Sequence, residues 1–125
     1  KGKIICLFGS GGERDTQKRP IQGKIADDFS DIIILTDEDP RGEESLELLK
    51  DIAQGIINKE LNKDLFLIPD RPTAIRRAFS FAQKNDIVLL LGKSHENSII
   101  YKDFTLKYDE ILEAKKALNE KGFTK

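Results

Sequence analysis

Four times along this chain a short apolar run is followed by an amphipathic one or a polar loop, and the second apolar run carries Ile32, Ile33 and Ile34 in succession. Unbroken β-branched residues suit a strand buried on both faces, which is the condition of a parallel sheet covered by helices on each side. Strands are therefore expected at Ile4–Phe8, Asp31–Leu35, Leu65–Ile68 and Ile87–Leu91. Helices are expected at Pro20–Phe29, Glu43–Ile57 and Arg71–Gln83. The inward stripes would be Ile21, Ile25 and Phe29 on the first; Leu46, Leu49, Ile52, Ala53 and Ile56 on the second; Ile75, Ala78, Phe79 and Ala82 on the third. Pro72 is tolerated in a first helical turn. After Gly92 the pattern changes. Ser98–Tyr101 and Phe104–Leu106 read as a hairpin turning at Lys102-Asp103. Tyr108–Glu120 reads as a last helix carrying Ile111, Leu112, Ala114, Lys115 and Leu118. The expected fold is α/β: an open, Rossmann-like, mostly parallel sheet flanked by helices, with a β-hairpin at the C-terminal edge.

The 125 residues fit one domain, and 38% hydrophobic residues supply a single core. Lysine and arginine number 21 against 22 acidic residues, so the net charge of −1 offers no bulk attraction to nucleic acid or an anionic membrane. No stretch approaches the ~18 apolar residues of a membrane-spanning helix. The lone Cys6 excludes an intrachain disulfide and a cysteine-built zinc site. Within an apolar run it reads as a buried core thiol, and the cytosol is its natural compartment. The first strand begins almost at the first residue, as expected of a domain taken from a longer chain.

In an open parallel sheet, ligands bind beyond the carboxyl ends of the strands. The polar segments to inspect are thus Gly9–Arg19, Thr36–Glu44, Asp70–Arg71 and Gly92–Glu96. Gly9-Ser10-Gly11-Gly12-Glu13-Arg14 begins like a dinucleotide fingerprint, but Arg14 stands where the last glycine belongs. Gly92-Lys93-Ser94 ends like a phosphate-binding loop, but Ile87 stands where its first glycine belongs. His95, the single histidine, has no metal-ligand spacing around it. The cluster Glu43, Glu44 and Glu47 suits the N-terminus of a helix on a solvated face. Arg14 and Arg41 carry planar, permanently charged forks suited to carboxylates, or to surface pairs with Asp15 or Glu43.

Taken together, four segments resemble one family. Gly11-Gly12-Glu13-Arg14-Asp15 with Lys18-Arg19-Pro20 is similar to the GGxRDxxKRP stretch of Mur ligases of the MurE type. Thr36-Asp37-Glu38-Asp39-Pro40-Arg41 resembles its TxDNPR signature. Asp70-Arg71 with Ala74-Ile75 resembles its DRxxAI helix start, and Gly92-Lys93-Ser94-His95-Glu96 its GKGHE loop. The resemblance covers nearly the whole chain and implies the C-terminal, amino-acid-binding domain of a bacterial, cytoplasmic ligase. Domains for the UDP-sugar and for ATP with Mg2+ would lie outside these residues. Such a ligase activates UDP-N-acetylmuramoyl-L-alanyl-D-glutamate as an acyl phosphate and joins it to a diamino acid: lysine, ornithine or meso-diaminopimelate.

By the same resemblance Arg14, Asp39, Arg41, Gly92 and Glu96 contact the amino acid. Asp15, Lys18, Arg19, Asp37, Pro40, Lys93, Ser94 and His95 would line the site, and no residue of this chain is assigned to catalysis or to a metal. Lys18, Arg19 and Lys24 could approach nucleotide phosphate or form a solvated helix start. Two residues depart from the pattern. Asp39 replaces asparagine, which favours a distal ammonium over a distal carboxylate, whereas Arg41 favours the carboxylate; the two could also pair. Ser94 replaces glycine. Another Mur or folylpolyglutamate-type ligase, or a non-catalytic Rossmann-like binding module, are the competing expectations.

Overall fold

In a computed structural model that describes residues 2–12, 16–92, 98–100, 105–107 and 109–120, one sheet organises the molecule. It contains β1 (Ile4–Phe8), β2 (Ile32–Leu35), β3 (Leu65–Leu67) and β4 (Ile87–Leu90). The order is β3-β2-β1-β4, and each neighbouring pair is parallel. Helices α1 (Lys18–Phe29), α2 (Ser45–Ala53) and α3 (Arg71–Phe81) connect the strands. Next come β5 (Ser98–Ile100) and β6 (Thr105–Lys107), an antiparallel pair that forms its own two-stranded sheet, and then α4 (Glu110–Glu120). The expected turn at Lys102-Asp103 lies outside the described residues.

Alternation along β1 divides the core. Ile5 and Leu7 join Ile34, Ile75, Ala78, Ile99 and Ala117 on the face covered by α3 and α4. Cys6 and Phe8 join Ile33, Leu35, Leu49 and Ile52 on the face of α1 and α2. Each fully buried leucine or isoleucine contributes roughly 1.5–3 kcal/mol relative to exposure. Burial also pushes the Cys6 thiol up to about 11, as befits an inert core thiol.

Helix α2 is shorter than the expected Glu43–Ile57. The Glu44 carboxylate caps it by accepting from the Glu47 N–H, and regular helix ends at Ala53. Helix α1 presents a different face from the one expected. Ile21, Ile25 and Phe29 are exposed, while Arg19, Gly23, Ala26 and Asp27 are buried. The reason is close packing against α2: a Cβ at Gly23 would sit 2.1 Å from the Ile52 carbonyl oxygen. Small residues permit that approach and bulky ones prevent it. Ile25 and Phe29 instead wall a hollow of about 270 Å³ beside Cys6, Phe8 and Leu91. Helix α4 is likewise turned. Ile111 and Leu112 are about half exposed, and Glu110 and Ala117 face inward.

Candidate functional site

The carboxyl ends of β1, β2 and β4 bring three loops to one edge of the sheet. The loops after β1 and β2 run side by side: Gly11 and Asp39 form a parallel bridge, and the Gly12 N–H donates to the Asp39 carbonyl at 2.6 Å. A Cβ at Gly12 would lie 1.7 Å from the Pro40 carbonyl oxygen, so only glycine permits this contact. Arg41 then enters the left-handed region, at φ 56°, and donates from Nη1 to the Gly12 carbonyl at 3.3 Å. Non-glycine residues in that region carry local strain and concentrate at functional sites. The loop after β4 completes the group. Gly92 adopts φ 101°, and a Cβ there would lie 3.2 Å from a carboxylate oxygen of Glu38.

Asp39, Arg41 and Gly92 are thus gathered on adjoining loops at this edge. Arg14, Asp15, Lys93, Ser94, His95 and Glu96 lie outside the described residues. Asp37, Asp39 and Pro40 are buried within the loop after β2, and Arg41 is half-buried. Lys18 is exposed at the start of α1, and Lys24 lies 3.7 Å from Asp28 one turn further along.

Of the two expectations for Arg19, an approach to nucleotide phosphate or a solvated helix start, the second does not hold. Arg19 is 1% exposed, and its guanidinium grips both oxygens of Glu43 at 2.9 and 2.7 Å, with Asp51 at 3.1 Å. Nη2 also donates to the Gly11 carbonyl at 3.3 Å. The bond to Glu43 raises the guanidinium's already high pKa, so the charge is permanent. Arg19 therefore ties α1 to the loops after β1 and β2 from within. Glu43, expected on a solvated face or as a partner of Arg41, pairs with Arg19.

The structure gives a task to two residues outside the expected set of contacts: Arg71, which the sequence places only in a motif, and Glu110, which it does not mark. Arg71, in the first turn of α3, is fully buried. Its Nε and Nη2 donate to the two Glu110 oxygens at 2.8 and 2.9 Å. Nη1 donates to the Asp37 carbonyl at 2.8 Å, and Nη2 to the Leu91 carbonyl at 2.9 Å. A cation at a helix N-terminus opposes the helix dipole, and that misplacement is the sequence signal that Arg71 has another task. Glu110 gives no such signal, because an acidic residue is ordinary in a first turn.

Known proteins resemble this chain. Residues 1–94 match the family model described as "Mur ligase, glutamate ligase domain". The chain is 65% identical over 117 residues to a UDP-N-acetylmuramyl-tripeptide synthetase of Treponema denticola, covering 94% of this chain and 22% of that protein. It is 42% identical over 121 residues to a UDP-N-acetylmuramoyl-L-alanyl-D-glutamate–2,6-diaminopimelate ligase of Prochlorococcus marinus, covering 97% and 23%. A solved structure of a ligase of the latter name superposes with a TM-score of 0.87 at 32% identity, over 99% of this chain and 25% of that one. The chain therefore spans about a quarter of the length of the relatives it matches.

Proposed function

The chain belongs to the Mur ligase family through its glutamate ligase domain, and we propose that it is the amino-acid-binding part of a tripeptide synthetase of the MurE type. In this reading the whole ligase is cytoplasmic and joins a diamino acid to UDP-N-acetylmuramoyl-L-alanyl-D-glutamate in an ATP-dependent reaction. The observation that carries the reading is Arg41. It is held in a left-handed conformation at the convergence of three loops, with one donor given to Gly12 and its charge unmatched by a carboxylate among the described residues. A guanidinium so placed suits the bidentate capture of a substrate carboxylate.

ATP and Mg2+ would be held mainly by the ligase's central domain, outside this chain. Among the described residues no group of three or more histidine, cysteine, aspartate or glutamate side chains could hold a metal ion. The task of this chain is orientation. Arg41, with Arg14, would fix the amino acid through its carboxylate so that its amino group meets the activated D-glutamyl carboxyl. The amine nitrogen forms the new C–N bond, phosphate leaves, and the amine gives up a proton. Fixed orientation of this kind converts a bimolecular encounter into an effectively unimolecular step.

The acidic loop argues for the side chain of the added residue. Glu38 stands over Gly92, and Asp39 follows it in the bridge to Gly11. Two neighbouring carboxylates favour a distal ammonium, as in lysine or ornithine. The likeness to a diaminopimelate ligase supports the second reading, in which Arg41 takes a distal carboxylate. Phosphate release by the full-length ligase, with lysine, ornithine and meso-diaminopimelate offered in parallel, separates them. Lysine or ornithine is expected to be preferred, and Arg41→Ala to raise the amino-acid KM about tenfold to a hundredfold, as for a lost charged hydrogen bond of roughly 1.5–3 kcal/mol. An unchanged KM in that variant removes Arg41 from the site, and release with none of the three amino acids refutes the proposed reaction.

A further inference from the structure

We infer that Arg71, neutralised by Glu110, is a positioning residue that fixes the separation of the two loops between which the amino acid would bind. This rests on the reading of the crevice given above. One buried guanidinium reaches three separate elements. It holds the Asp37 carbonyl, which immediately precedes Glu38, Asp39, Pro40 and Arg41. It holds the Leu91 carbonyl, which immediately precedes Gly92. It is locked in turn by the two bonds it donates to Glu110 on α4.

The geometry of these bonds matters more than their number. The fork is planar, so Asp37 and Leu91 accept from nitrogens whose spacing is covalently fixed. Strands β2 and β4 are not neighbours; β1 lies between them. The ladders tie each of them to β1 and neither to the other, and Arg71 bridges that gap directly. Its position in the first turn of α3, capped by Asp70 and followed by Pro72, anchors the guanidinium to a regular element. Glu110 supplies the countercharge that lets it remain buried, with side-chain exposures of 0% and 3% for the pair. Lysine could match the charge but not this fork.

The test uses the full-length ligase that contains this chain. Two variants are compared: R71K, which keeps the charge, and R71M/E110L, which replaces the pair by apolar residues. Buried ion pairs often tolerate such replacement without loss of stability. For each, the melting temperature is recorded, and KM is measured for the amino acid, for ATP and for the UDP-linked dipeptide. In any variant that melts like the wild type, the amino-acid KM is expected to rise about tenfold to a hundredfold, the scale of an ångström-sized misplacement. The other two KM values should stay within twofold. Damage that only reduces the folded fraction would lower kcat and leave all three KM values alone. A wild-type amino-acid KM in a natively melting variant overturns the positioning role if Arg41→Ala raises it. If Arg41→Ala also leaves it unchanged, the crevice itself is misassigned. Failure of both variants to melt cooperatively makes the pair a stability element and overturns the proposal too.

Discussion

One oxygen of Asp27 accepts hydrogen bonds from the backbone N–H groups of Ile57 and Asn58 and from the Asn58 side chain, while Lys59 Nζ lies 2.9 Å from the other. Burial alone would raise this carboxyl, but Lys59 and the two backbone N–H groups outweigh it and hold the pKa below the usual carboxylate range. The pair is nearly inaccessible, with side-chain exposures of 1% for Asp27 and 6% for Lys59. Asp27→Ala is expected to cost about 3–5 kcal/mol in urea unfolding, because it strands a buried ammonium. A cost below about 1 kcal/mol would show that residues 57–59 hold their place without Asp27. A folded-state pKa below the unfolded one means that the contribution is present above about pH 4 and is lost as pH falls through the folded value. The gap between wild type and variant should therefore be full at neutral pH and narrow in acid; a gap that widened in acid would contradict the assignment.

At the level of elements, α1 separates two kinds of burial. Its bulky stripe faces outward, and its small-residue face meets α2 at the Gly23–Ile52 contact. Gly23→Ala improves helix propensity by up to about 1 kcal/mol. It also forces a methyl group against backbone that cannot yield without separating the helices, an overpacking cost of roughly 1–3 kcal/mol. Net destabilisation is expected, whereas Ile25→Ala on the exposed stripe should cost less than Gly23→Ala. Urea denaturation of both variants checks the order, and the reverse order would mean that the bulky stripe is the buried one. The two faces are two residues apart in sequence, which is about 200° around a helix, so burying one turns the other outward.

For the molecule as a whole, the converging loops would form one wall of the proposed crevice. They lie along a single sheet edge, and the length of the relatives leaves about three quarters of each protein beyond this chain. The 125-residue chain alone is expected to release no phosphate from ATP above background and to bind amino acid only weakly. A phosphate-release assay on the purified chain is sufficient, and turnover there would require a phosphate-binding cradle within these residues. No helix among the described residues is long and apolar enough to cross a membrane.

The consecutive isoleucines at 32–34 determined a parallel, doubly covered sheet, because only a strand shielded on both faces repays that much apolar surface. Local chemistry also placed the loops: polar residues after each apolar run mark strand ends, and TxDNPR-like and GKGHE-like segments there announced Arg41 and Gly92. Packing decided what periodicity could not. Hydrophobic patterning rewards bulk, so it chose Ile21, Ile25 and Phe29 over the smaller face that lets α1 touch α2. Arg19 and Arg71 read as charges bound for solvent or ligand, yet both are buried by carboxylates distant in the chain, 24 positions for Glu43 and 39 for Glu110. A charged side chain enters a core only when its partner arrives there too, and that meeting is a property of the closed fold.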